Sequence, residues 1–113
     1  MKVTTKTTIT VTADFVGYHC WPEAPEEVSF LRNLHRHKFI VGVEFLISSD
    51  RQLEFFIMQT KLKRILPPPL GSSASCEIMA EYILQYFFDQ EYSPISVSVS
   101  EDGENKSTVY VIK

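Results

Sequence analysis

Two cysteines, four glycines and one tryptophan are all that this 113-residue chain holds of those residue types. Two thiols are too few for a disulfide framework, and Cys20 and Cys76 lie in segments of different character, so both are expected to be reduced. No window approaches the ~18–20 uninterrupted apolar residues of a membrane span, and the Lys/Thr-rich opening lacks the apolar stretch of a signal peptide. A cytoplasmic protein with no membrane partner is therefore expected. A basic excess is also missing: 11 Lys and Arg stand against 14 Asp and Glu, a net charge of −3, the wrong sign for a chain that neutralises nucleic-acid phosphates. The length leaves no room for two independent cores, and no repeat or low-complexity tract interrupts it. What is present is a 44% hydrophobic fraction with eight Phe and five Tyr, enough apolar side chain for one packed domain over residues 1–113.

The periodicity assigns the elements. Residues 4–19 alternate, with Ile9, Val11, Ala13 and Phe15 at odd positions and Thr8, Thr10, Thr12 and Asp14 between them, which predicts a strand with one buried face. Residues 20–33, with Pro22, Pro25 and three glutamates, predict a long surface loop, a feature that often serves function. Residues 35–48 alternate again through Phe39, Val41, Val43, Phe45 and Ile47, and should pair antiparallel with the first strand. Over residues 52–66, Phe55, Met58, Leu62, Ile65 and Leu66 recur at helical spacing, with a possible late start; Pro67, Pro68 and Pro69 end that helix. A second helix follows a Ser N-cap and runs to about Phe88, with Cys76, Met79, Ala80, Ile83, Tyr86 and Phe87 on its apolar face. Ile95, Val97 and Val99 alternate with serines, and a turn through residues 102–105 leads to a last short strand ending in Val109 and Val111. The order ββααββ predicts an α+β fold: a four-stranded antiparallel sheet with both helices on one face.

The chain's three histidines fall at the ends of the first hairpin. His35 and His37, two apart in an extended strand, project from one face, and His19 shares the odd parity of its own strand's apolar side. A hairpin returning His35 beside His19 would gather three imidazoles with one position left open, the ligand set of a catalytic zinc site. The alternative is a solvated His-Arg-His-Lys strand end with His19 unrelated to it, and spacing leaves both open. Glu101 continues the odd apolar face of Ile95, Val97 and Val99, so its carboxylate points where a core residue belongs and needs a partner. A heterocycle with an amidine-like edge would supply one, donating two N–H groups; the alternative is that Glu101 merely begins the polar turn. Glu77, in the first turn of the second helix, fits a helix-dipole role better than a ligand contact. Glu23, Glu26 and Glu27 read as loop solubility. Cys20 is the one thiol near the trio and a candidate catalytic group, with a small semi-buried residue as its default reading. Trp21 either walls a ring pocket or anchors the loop.

These residues resemble a known family. Phe15-Val16-Gly17-Tyr18-His19 followed by Leu34-His35-Arg36-His37-Lys38-Phe39-Ile40-Val41-Gly42-Val43-Glu44 is similar to the F-x-x-x-H and L-H-G-H-x-F/Y-x-V-x-V segments of the 6-pyruvoyl-tetrahydropterin synthase and 6-carboxytetrahydropterin synthase family. Glu54-Phe55, Ser75-Cys76-Glu77-Ile78-Met79-Ala80-Glu81 and Val97-Ser98-Val99-Ser100-Glu101 extend the likeness over about the whole chain. The resemblance implies the tunnelling fold, homo-oligomerisation into a hexamer or other barrel, zinc held by His19, His35 and His37, and Glu101 anchoring a pterin or purine edge. Unpaired edges on a four-stranded sheet would favour the same assembly. The chain also departs from the family. Leu31 stands where the catalytic Cys is expected, Arg36 replaces the Gly between the paired histidines, and residues 67–73 lack the Asp-His pair. With every histidine assigned to metal, none remains as a general base. Three functions follow: a divergent zinc enzyme of the carbon–oxygen lyase type in which Cys20 or a loop glutamate replaces the lost base, a non-catalytic binder of a purine- or pterin-like small molecule, and a structural oligomer with a vestigial pocket.

Overall fold

A computed structural model describes residues 1–112. The predicted α+β order is present: β1 (Thr7–His19), β2 (His35–Ile47), α1 (Phe55–Arg64), α2 (Cys76–Asp89), β3 (Pro94–Glu101) and β4 (Asn105–Tyr110). The strands form one antiparallel sheet in the order β1-β2-β3-β4. Odd positions of β1, β2 and β3 face inward. Ile9, Val11, Ala13, Phe39, Val41, Val43, Phe45, Val97 and Val99 are buried in one cluster with Met58 and Leu62 of α1 and Met79, Ala80, Ile83 and Phe87 of α2. Both helices therefore cover the same face, which is what strict alternation in the strands requires. Phe87 is central: its ring meets Phe45 edge-on at 5.1 Å and Tyr92 at 6.0 Å.

Local chemistry sets the helix ends. Glu54, extended at φ −97°, accepts the backbone N–H groups of Phe56 and Ile57, so α1 starts at Phe55 and not at residue 52. Phe55, counted on the apolar face from its spacing, is exposed at this first turn; Met58 and Leu62 carry the contact. Ser75 caps α2 by accepting from the Ile78 N–H at 3.2 Å. The long loop is more ordered than its prolines imply. It contains two short 3₁₀ turns within Glu26–Arg32, broken at Val28. Trp21 N–H donates to the Leu31 carbonyl at 2.7 Å and Arg32 Nε to the Ala24 carbonyl at 2.8 Å, so the loop folds back on itself. Both cysteines are free thiols. Among the described residues no helix is long and apolar enough to cross a membrane.

Candidate metal centre

The β1–β2 register pairs His19 directly with His35 and sets His37 opposite Gly17. The next register pairs Phe39 with Glu101, placing the carboxylate diagonal to His37 on the neighbouring strand. Three adjacent strands thus deliver three imidazoles and one carboxylate to the same end of the same face. Ring centroids lie 4.6 Å apart for His19–His35, 4.9 Å for His35–His37 and 5.4 Å for His19–His37. One donor atom from each of His19, His35, His37 and Glu101 falls within 4.8 Å of all the others. The cluster rests on Phe39, which is fully buried and touches His19 and His37 edge-on. Gly17 makes room for this floor, since a Cβ there would come within 3.2 Å of both the Phe15 and Phe39 rings.

The outward nitrogens fix the tautomers. His19 Nδ1 lies 3.1 Å from the Ala74 carbonyl, His35 Nδ1 is 2.9 Å from the Asn33 carbonyl, and His37 Nδ1 is 2.7 Å from Asp102 Oδ2. Carbonyl and carboxylate oxygens only accept, so each Nδ1 carries a proton, and a ring holding only that one turns an Nε2 lone pair inward. Orientation of a metal-binding His through its second nitrogen, by a backbone carbonyl or a carboxylate, is the usual support for such a site. Two of those inward atoms, His35 Nε2 and His37 Nε2, are buried without a hydrogen-bond partner. Buried polar atoms without partners are costly, and a divalent cation would satisfy both together. The four residues therefore fit a metal ion.

Asp102 was not singled out in the sequence, where it reads only as part of a turn. It adopts φ +57°, a left-handed conformation that Asp tolerates better than most residues. In that conformation its carboxylate accepts both His37 Nδ1–H and, at 2.9 Å, the Lys38 backbone N–H, while its own N–H donates to the Lys38 carbonyl. The hydrogen bond from His37, followed by that from Lys38, holds the Asp102 carboxyl below the usual carboxylate range. Neither the Ala74 nor the Asn33 carbonyl carries any side-chain signal that a sequence could reveal.

A cleft of about 490 Å³ opens beside the cluster, within the usual range for small-molecule sites. His19, His35 and Glu101 line it together with Cys20, Trp21, Cys76 and Glu77. Leu31 is also on the wall. Cys20 is half-buried and tied to the connection before α2 by its N–H, which donates to the Ser72 carbonyl. Trp21 lines the cleft with its side chain about half exposed, and it is its backbone N–H that ties the loop. Glu77 accepts from the Ser107 hydroxyl at 2.7 Å and so joins α2 to β4 as well as facing the cleft. The Cys76 thiol is pushed up to about 12, first by burial and then by the charges of Glu101 and Glu77, so it stays protonated at neutral pH. Comparison with known proteins finds no matching family model and no significantly similar curated sequence.

Proposed function

We propose that this chain is a divergent zinc-dependent carbon–oxygen lyase, resembling 6-pyruvoyl-tetrahydropterin and 6-carboxytetrahydropterin synthases, that acts on a pterin or 7-deazapurine precursor. The observation that carries the reading is the convergence of three Nε2 atoms, each on a ring aimed by an Nδ1 hydrogen bond, beside a cleft that His19, His35 and Glu101 line. Zinc held there by His19, His35 and His37 would supply a Lewis acid for a substrate oxygen. Glu101 and Trp21 both line the cleft, which supports a role for the carboxylate in accepting N–H donors from a ring edge and for the indole in walling the ring. Cys76 is not available as a base because its thiol is held protonated, which leaves the half-buried Cys20 and the carboxylates for proton transfer. The unpaired outer edges of β1 and β4 support edge-to-edge association of copies into a barrel.

A specific observation favours a second reading, a non-catalytic binder of a purine- or pterin-like molecule. Leu31 contributes only an apolar side chain where the resembled enzymes carry a thiol. Metal analysis and turnover of a dihydroneopterin triphosphate-type substrate separate the two. The enzyme reading expects about one zinc per chain and product formation, both lost in His35→Ala. A tightly held, unchanged heterocycle with no turnover supports the binder, and metal-free protein with no bound heterocycle overturns both.

A further inference from the structure

Glu101 does more than line the cleft: its Oε2 lies 2.7 Å from His19 Nε2 and 3.5 Å from His37 Nε2. Because His19 Nδ1–H is committed to the Ala74 carbonyl, a neutral His19 would set a lone pair against a carboxylate oxygen. Only a cation between them makes that contact favourable. A proton on His19 Nε2 would serve this one pair, but it would leave His35 Nε2 and His37 Nε2 without partners. A metal ion shared by all four groups satisfies every inward-facing atom. Four protein donors also change what the centre is. Three donors leave a zinc site open to chemistry, whereas four close it as in structural sites.

The backbone of Glu101 is pinned where β3 pairs with β2 and β4, and the next residue is locked to Lys38. The side chain is 29% exposed and lines the cleft, so a molecule bound there would meet its carboxylate. Resting on the metal assignment above, we propose that Glu101 is a fourth, exchangeable metal ligand. It closes the coordination sphere while the cleft is empty. It swings to an incoming ring edge when a heterocycle with paired N–H donors enters, so the metal acquires an open position only with the cleft filled. Two N–H donors aligned on two carboxylate oxygens are the kind of partner able to compete with a metal for this group.

Cobalt-loaded protein with azide as a probe for an open position tests this. Wild type is expected to show tetrahedral Co²⁺ absorption bands that azide leaves unchanged. The isosteric Glu101→Gln should lose Co²⁺ affinity by about tenfold or more, a scale typical of damaged metal-site support, and should bind azide with a new charge-transfer band. Adding 6-methylpterin, whose ring carries such an N–H edge, should make the wild type bind azide as the variant does. Azide binding to the wild type without pterin, or no gain of azide binding on adding it, overturns the exchange. Equal Co²⁺ affinity in wild type and Glu101→Gln overturns ligation by Glu101 while the three-histidine centre stands. If no Co²⁺ binds and His35→Ala changes nothing, the metal assignment itself fails. The wild-type azide measurements need no variant, so misfolding of Glu101→Gln, checked by circular dichroism, does not obscure the result.

Discussion

His37 and Asp102 are joined by a 2.7 Å hydrogen bond across a β2–β3 boundary, and the same carboxylate clasps the backbone of the residue following the histidine. Ring orientation and strand position are thereby set by one side chain. Asp102→Asn keeps the left-handed turn and one accepting oxygen but cannot serve both donors. It should weaken zinc binding by about 10–100-fold with little change in the melting temperature of the metal-free protein. Competition with a chelator of known affinity measures the first quantity and thermal unfolding the second. An unchanged zinc affinity would remove Asp102 from the site.

The buried Cys76 makes stability fall in alkali. Its thiol is raised from 9.0 to about 12 in the folded chain. Below pH 9 both states hold the proton and stability is full. Between pH 9 and about 12 the unfolded chain releases the proton while the folded chain retains it, so unfolding becomes progressively easier. Cys76→Ala should lose less stability than wild type over this interval, seen as a narrowing or reversal of the difference in urea midpoints between pH 8 and pH 10.

Gly17 leaves little room for a side chain against the rings beneath the histidines. Gly17→Ala would press a methyl to 3.2 Å from the Phe15 and Phe39 rings. The expected cost is about 1–3 kcal/mol from overpacking, together with weaker metal binding as Phe39 shifts under His19 and His37. Denaturant unfolding and zinc titration read the two effects separately.

Phe87 links α2 to the sheet through Phe45 and Tyr92 and is fully buried. Phe87→Ala should cost about 3–5 kcal/mol, the usual range for emptying such a position. Ser75→Ala, which removes only the α2 cap, should cost about 1 kcal/mol. Similar losses in urea unfolding for the two would contradict this packing.

The fold was legible because alternation is a strong signal when one strand face is buried. Odd-numbered residues of β1, β2 and β3 enter the core together, and the same parity carried His19, His35, His37 and Glu101 to one side. The boundaries were less legible. β4 begins at Asn105, the last residue of the expected turn, and ends at Tyr110, so Val111 lies past the strand although its N–H still donates to the Ile95 carbonyl. The 3₁₀ turns of Glu26–Arg32 were hidden by prolines and glutamates, and their hydrogen bonds are mostly between backbone atoms. The supporting shell of the site was illegible for the same reason: two of its three acceptors are carbonyls, which every residue has. The third, Asp102, resembles any acidic turn residue until the sheet register places it behind His37.

Because the four donors come from three neighbouring strands, an ion shared among them would act as a staple across one end of the sheet. Its effect on breathing motions should be lopsided. Amide hydrogen exchange in the metal-loaded protein would slow around His19, His35 and Glu101, while the opposite end of the hairpin, where Thr7 faces Ile47, would exchange as before.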